Sequence, residues 1–418
     1  MNKKTFCIMP FIHLYSSTNG ELRPCCIAGS FDVKVNLKDG VESAFNSVQM
    51  KKLRQDMLEG KRNSVCNVCY NSEDNGIPSS RQMYNMAISN DSNNDGYVMP
   101  SVNEDFSVDS DFQYIDVRFS NLCNFKCIMC THEFSSQWHD DMGFEDPYQN
   151  DGRYQKNHSK IINISDNILD DLKPHLSKLK KVYFAGGEPL IMKENYELLR
   201  FIKNNSINSS HPKKGIELYY NTNLSTLAYQ GDSYMDYWKD FKKVYISISC
   251  DGLGKVGEYQ RVGFNTEKLI SNIEILKHDF EPASPDSHSI RFGYGFQYTV
   301  TSINVWHIFD FVDFLKEQDI ITEENQITFF NAFGYYGLQN LSDSEKTKIE
   351  KFLLENLDRY ENDYFINSIK NLVTSMKTEA RIESIEKVKR FTEYLDIKNN
   401  QNYYEVTQTK FENDLENS

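Results

Sequence analysis

The hydrophobic pattern divides the 418-residue chain into alternating short strands and amphipathic helices. Tyr114-Ile115-Asp116-Val117-Arg118-Phe119-Ser120 alternates apolar and polar side chains, the period of a half-buried strand. Further strands are predicted over 181–185, 216–223, 244–252, 292–300 and 327–331, with helices near 167–179, 191–204, 233–241, 267–277 and 304–317 between them. Strand and helix in alternation predict parallel βα units, hence an α/β fold. The period of two also sorts the faces. Val244, Ile246, Ile248 and Cys250 share the side that packs on helices, so Cys250 reads as a core thiol. Asp116, Arg118, Ser120, Tyr183, Asn221, Asn223, Ser249, Gln297 and Thr299 fall on the interior side and predict a polar cavity.

The flanks have a different pattern. Phe11 to Tyr15 and the segment around Glu21-Leu22-Arg23 enclose the turn Thr18-Asn19-Gly20, a hairpin signal. A helix follows over 43–59, with Met50, Leu53 and Met57 on one face and Gly60 as its stop. Residues 1–85 thus read as a small α+β domain, and 86–111, polar and turn-rich, as a linker. The main domain is predicted over 112–340. Within it, 131–163 is a long irregular segment with Trp138, Asp146-Pro147-Tyr148, His132, His139 and His158; it reads as a lid whose histidines are solvated. Residues 341–418 turn helical and charged. Ser342-Asp343-Ser344-Glu345 fits a capping box, while Ile349, Phe352, Leu353, Leu357 and Tyr360, then Ile382, Ile385, Val388 and Leu395, form core-packing stripes without chemistry.

Charge and targeting narrow the function classes. With 60 acidic against 46 basic residues the net charge is −14, which disfavours a nucleic-acid partner. The segment Met1 to Cys7 lacks a signal-peptide run, and no apolar stretch approaches the roughly 18 residues of a membrane span, so a cytoplasmic protein without membrane attachment is expected. Nine cysteines, clustered and odd in number, point to metal binding rather than disulfides.

Three of them, in Cys123-Asn124-Phe125-Lys126-Cys127-Ile128-Met129-Cys130, have C-x3-C-x2-C spacing at the carboxyl end of a strand, where βα folds carry chemistry. Iron–sulfur clusters are normally held by four thiolates, so a three-thiolate loop predicts one iron open to a small molecule. The alternative is a zinc knuckle, although zinc sites want a fourth ligand and usually pair two C-x-x-C units. Cys7, Cys25, Cys66 and Cys69 make a complete four-thiolate set, sufficient for a closed cluster or for a zinc ribbon. Cys26 would point elsewhere along an extended chain and reads as a packed thiol or an alternative ligand.

The loop resembles the signature of the radical SAM superfamily, and Gly186-Gly187-Glu188-Pro189 after a strand resembles that superfamily's second motif. The resemblance implies a partial (β/α)6 barrel, a [4Fe–4S] cluster on Cys123, Cys127 and Cys130, and S-adenosylmethionine on its open iron. It also implies that Gly186, Gly187, Glu188 and Pro189 hold the methionyl ammonium. Ser249-Cys250-Asp251-Gly252 followed by Glu258-Tyr259-Gln260-Arg261 is similar to a segment of SPASM and twitch enzymes, which gives Ser249 a contact to S-adenosylmethionine and Arg261 its carboxylate. Met129, Asn223 and Asn304 complete the implied cofactor contacts. The pattern of Cys7, Gly20, Cys25 and a distant C-x-x-C looks like a twitch module, placed here ahead of the barrel and implying an auxiliary [4Fe–4S] cluster. The implied reaction is reductive cleavage of S-adenosylmethionine to a 5′-deoxyadenosyl radical that takes a hydrogen atom from an unactivated C–H, with a flavodoxin or ferredoxin as reductant. The expected substrate is a peptide or protein side chain; a sugar or amino alcohol is the close alternative, and a zinc- and SAM-binding scaffold without catalysis is the other class.

Overall fold

The computed structural model describes residues 4–88, 96–141, 159–204, 215–285, 287, 290–332, 334–378 and 385–407. Asp146-Pro147-Tyr148, His158, Ile382 and most of the predicted lid lie outside the described residues. The chain forms two compact units, one of Met1–Leu122, Ile161–Tyr220 and Ala228–Val244, the other of Cys123–Lys160, Asn221–Leu227 and Tyr245–Ser418.

In the first unit the strands run in the order Glu217–Thr222, Lys181–Phe184, Tyr114–Val117, His13–Ser16, Glu21–Arg23, Val35–Asn36. The first four pair parallel, with Lys181 opposite Glu217, Tyr114 opposite Lys181 and His13 opposite Tyr114. The predicted hairpin is present: Tyr15 pairs with Arg23, and Gly20 at φ +83° closes the turn with its N–H on Ser17 O at 2.9 Å. The strand His13–Ser16 is buried throughout and hydrogen-bonds along Tyr114–Val117, so the amino-terminal hairpin extends the parallel sheet. Residues 41–58 depart from the single predicted helix. They form Val41–Phe45 and Val48–Leu58, because Ser47 caps the second helix by accepting the Met50 N–H. The predicted helix 167–179 is likewise shortened to Ile168–Leu172, with a 3-10 turn at Lys173–His175 around Pro174.

In the second unit Phe292–Val300 is the central strand. Ile327–Asn331 and Glu281–Pro282 pair parallel to it, and Lys243–Ser249 is its neighbour on the other side. Val244, Ile246, Ile248 and Cys250 are fully buried; the Cys250 thiol donates to Gly252 O at 3.2 Å, and burial pushes its pKa up to about 12, as an inert core thiol requires. Helices Gly254–Gln260, Thr266–Leu276 and Ile308–Glu317 follow the strands. The carboxy-terminal part is helical over Asp343–Glu355, Asp363–Met376 and Ile385–Asn399, and Ser342 caps the first by accepting the Glu345 N–H at 3.2 Å. Parallel strands alternating with helices in both units make the protein α/β. Among the described residues no helix is long and apolar enough to cross a membrane.

Candidate active site

The loop of Cys123, Cys127 and Cys130 is fixed by contacts that the local sequence does not announce. Lys126–Cys127 is a short strand paired antiparallel with Arg261–Val262, Arg261 standing opposite Cys127. The pairing continues through Ile128, whose N–H donates to Gln260 O at 3.0 Å, and Cys130 N–H then turns back to Cys127 O at 2.9 Å. Gly263, at φ +102°, lets the two strands approach: a Cβ there would stand 2.9 Å from Asn124 O. The segment after the loop closes over it. Ser136 Oγ donates to Cys123 O at 3.3 Å, Ser135 Oγ to Phe125 O at 2.6 Å and Trp138 Nε1 to Cys127 O at 3.1 Å. The described part of the predicted lid therefore holds the loop's carbonyls.

Two of the three sulfurs receive N–H groups. Phe125 N–H donates to Cys123 Sγ at 3.4 Å and Arg261 Nη1 to Cys127 Sγ at 3.5 Å. Hydrogen bonds to thiolate sulfur are a main means of setting an iron–sulfur potential, so three cysteines on one short loop, two of them with such donors, suit a cluster. Burial pushes the Cys130 thiol up, so ligation must expel a proton there.

Arg261 is oriented from behind. Its Nε is ion-paired with Asp251 Oδ2 at 2.7 Å, a contact of charges rather than an aligned hydrogen bond. Burial opposes the guanidinium charge, but Asp251 and the Cys127 sulfur outweigh it and raise the pKa. Asp251 is fully buried; its Oδ1 accepts Thr299 N–H at 2.7 Å and its carbonyl accepts Asn304 Nδ2 at 2.9 Å. Asn304 also donates to Thr299 O and accepts from Thr301 N–H, so its amide is engaged in holding this turn. Asn223 Nδ2 donates to Asn124 Oδ1 at 2.9 Å, Ser249 is half-buried at the end of its strand, and Met129 packs on the apolar group of Ile128, Trp138, Tyr259 and Phe391. Cys123, Cys127, Cys130, Met129, Asn223, Ser249, Arg261 and Asn304 thus all belong to the second unit. Asp251 was missed in the sequence; its only signal was its place in the Ser-x-Asp-Gly segment.

Gly186-Gly187-Glu188-Pro189 belong to the first unit, at the end of the strand Lys181–Phe184. There Gly187 N–H donates to Ser120 O at 3.3 Å and Glu188 N–H to Leu122 O at 2.8 Å, so the turn grips the residues that run into Cys123. Glu188 is buried and caps the turn Pro189–Ile191 by accepting Leu190 N–H at 3.1 Å. Also on this unit's sheet, buried Asp116 pairs with Arg118 at 3.3 Å, and Arg118 lies over the Tyr15 ring at 5.1 Å. Burial raises the Asp116 pKa, with Arg118 opposing it.

Cys7, Cys25, Cys66 and Cys69 line one cavity, with Arg81 and Tyr84; Cys26 is exposed and is not among the residues that line it. Among the described residues no three His, Cys, Asp or Glu side chains gather tightly enough to share one ion, so the four thiols border a cavity rather than meet at a point. Burial, then the neighbouring thiols, push Cys7 and Cys66 up to about 12. Arg81, buried and ion-paired with Glu73, donates to Phe6 O at 2.7 Å and brings a fixed positive charge to the cavity wall. Four sulfurs around an enclosed space beside a cation suit a polynuclear, net-negative group.

Comparison with known proteins gives the following. Residues 117–285 match the family described as Radical SAM superfamily. The structure of native anSMEcpe with bound AdoMet and Cp18Cys peptide is 18% identical, with 60% of this chain and 60% of that one covered at a TM-score of 0.38. The structure of Streptococcus suis SuiB bound to S-adenosylmethionine is 14% identical, with 57% of this chain and 42% of that one covered at a TM-score of 0.31. The match thus spans about three-fifths of the first structure's length and less of the second's. No curated protein matches significantly.

Proposed function

We propose that this chain, whose residues 117–285 form a radical SAM superfamily domain, is an enzyme that removes a hydrogen atom from an unactivated C–H centre, using S-adenosylmethionine and a [4Fe–4S] cluster held by Cys123, Cys127 and Cys130. The observation that carries the reading is the loop: three cysteines within eight consecutive residues, two of their sulfurs receiving N–H donors, one of those donors a buried Arg261. With cluster and S-adenosylmethionine bound, the chemistry supplied is reductive cleavage of the sulfonium, fed by a reductant such as flavodoxin or ferredoxin.

The protein's part is to place the reactants. Arg261, locked by Asp251, presents its guanidinium to the carboxylate of S-adenosylmethionine, for which a planar fork is apt. Met129, Asn223, Ser249 and Asn304 shape the rest of that pocket, Asn304 by fixing the Asp251 turn. Gly186 to Pro189 would supply backbone and carboxylate for the methionyl ammonium. Cys7, Cys25, Cys66 and Cys69 hold an auxiliary [4Fe–4S] cluster in a twitch-like arrangement, which would supply an electron acceptor and make the net outcome an oxidation. The substrate is a side chain of a peptide or protein in the cytoplasm.

Anaerobic reconstitution tests the reading. The expected result is about eight irons per chain, a cluster spectrum that changes on adding S-adenosylmethionine, and release of 5′-deoxyadenosine with dithionite. Cys127→Ala should abolish that release; Cys66→Ala should leave uncoupled cleavage and remove product. Mass spectrometry of co-expressed neighbouring proteins then distinguishes a modified peptide from turnover of a sugar or amino alcohol. Zinc in place of iron, or a spectrum indifferent to the sulfonium, would overturn the assignment.

A further inference from the structure

Lys126 lies between two of the loop cysteines, and its ammonium is tied down: Nζ stands 3.1 Å from Asp141 Oδ2 and 5.6 Å from the Trp138 ring centroid. Asp141 is itself buried. Its other oxygen accepts from the Tyr394 hydroxyl at 2.6 Å and lies 3.7 Å from Lys398 Nζ. Tyr394 and Lys398 come from the helix Ile385–Asn399, 253 residues further along in the case of Tyr394. The same helix stacks Phe391 on Trp138 at 6.2 Å between centroids, and its Asp396 accepts at 2.8 Å from the hydroxyl of Tyr259, two residues before Arg261. A buried carboxylate is tolerated only when paired and hydrogen-bonded. Asp141 meets that condition by joining the cysteine loop to the last long helix.

We propose that the helix Ile385–Asn399 is a working part of the cysteine site, and that Asp141 is the positioning residue through which it acts. Asp141 fixes Lys126, and so the strand that carries Cys127 opposite Arg261. Its single negative charge also offsets part of the positive charge that Lys126 and Lys398 bring to the loop. The electrostatic half of this inference rests on the iron–sulfur reading above; the positional half does not.

The test uses the full-length chain with Asp141→Asn and Tyr394→Phe. In the metal-free protein, hydrogen exchange at the Ile128 and Cys130 amides should accelerate roughly tenfold in both variants, the size of a lost hydrogen bond to a charged group, while the helix Ile308–Glu317 keeps its wild-type rates. In the reconstituted protein, Asp141→Asn should shift the midpoint potential of the loop-held cluster upward, because the loop's surroundings lose one negative charge and the more negative, reduced cluster is then favoured. A merely structural Asp141 would not move the potential. The proposal requires both effects: movement of one alone, or exchange that rises equally in the helix Ile308–Glu317, overturns it. If Asp141→Asn does not fold, exchange in Tyr394→Phe decides. If the wild-type loop takes up no iron, the functional reading falls, and the exchange measurement still judges the helix.

Discussion

Replacing Gly187 by Ala should damage the cysteine site although Gly187 ligates nothing. A Cβ at this position would stand 2.0 Å from Leu122 O, 2.6 Å from Leu122 C and 2.8 Å from Asn121 C, all backbone atoms. Merely to reach 3.0 Å, the Leu122 carbonyl must retreat by about 1 Å (3.0 minus 2.0), which no rotamer change can provide. Overpacking of this kind costs about 1–3 kcal/mol. The same retreat strains the bonds from Gly187 N–H to Ser120 O and from Glu188 N–H to Leu122 O, each worth about 1 kcal/mol. The sum is about 3 kcal/mol or more, and Leu122 immediately precedes Cys123. Urea denaturation of the metal-free protein reads the stability loss; iron per chain after reconstitution reads the displaced loop. Gly215→Ala serves as the control, because a Cβ there meets nothing within 4 Å, and it should stay within about 0.5 kcal/mol of wild type. A Gly187→Ala protein of wild-type stability and full iron content would refute the account of this turn.

Asp251→Asn should destabilise the metal-free protein by about 3–5 kcal/mol in urea denaturation, because it leaves the buried Arg261 charge without its partner. A loss under about 1 kcal/mol would show that the pair is dispensable. His13 gives a pH prediction: burial holds its pKa near 3, against 6.5 for the free side chain, with the carbonyl of Pro24 3.3 Å from Nδ1. Its contribution is therefore whole above pH 6.5 and is lost progressively as pH falls toward 3, since the unfolded chain takes up a proton that the folded one refuses. Between pH 7.5 and 5.5 the wild type should lose about 1.3 kcal/mol that His13→Gln does not, measured by paired urea titrations at the two pH values.

The candidate site was legible in the sequence because its cysteines are neighbours in it: the spacing of Cys123, Cys127 and Cys130, or of Cys66 and Cys69, constrains what a short stretch of backbone can present. The strands were readable for the same reason, since alternation over a few residues reports burial. What could not be read depends on distant partners. Arg54 is fully buried because Pro10 O, Phe45 O, Asn46 Oδ1 and Phe106 O surround its guanidinium, four acceptors from three separate stretches of chain. Nothing in Met50, Leu53 and Met57 foretells that a charged residue shares their buried side. The helix predicted over 43–59 breaks at Ser47 because a capping hydroxyl competes with continuation of the helix, a contest that hydrophobic period cannot decide. The pairing of His13–Ser16 with Tyr114–Val117 spans about a hundred residues and leaves no local mark. Asp141 carries no local signal of its distant partners Tyr394 and Lys398, and the stripe of Val388 and Leu395 announces packing alone.

The cysteine loop is therefore shaped from outside itself, and this changes how metal uptake should be measured. Leu122, which leads into it, accepts from a turn more than sixty residues downstream, and the middle of the loop pairs with Gln260 and Arg261, more than a hundred and thirty residues away from it in sequence. The three thiols, by contrast, lie within eight consecutive residues, so even an unfolded chain offers them to a metal. Iron content alone can then be satisfied without the site. On the proposed function a response to S-adenosylmethionine cannot, because it would need the guanidinium that Asp251 pairs with and a loop held in register with it. In partly unfolded protein, iron should persist while the spectral response to the sulfonium disappears. Loss of the two in parallel across a urea titration would mean that the loop needs no outside support to bind its metal in working form.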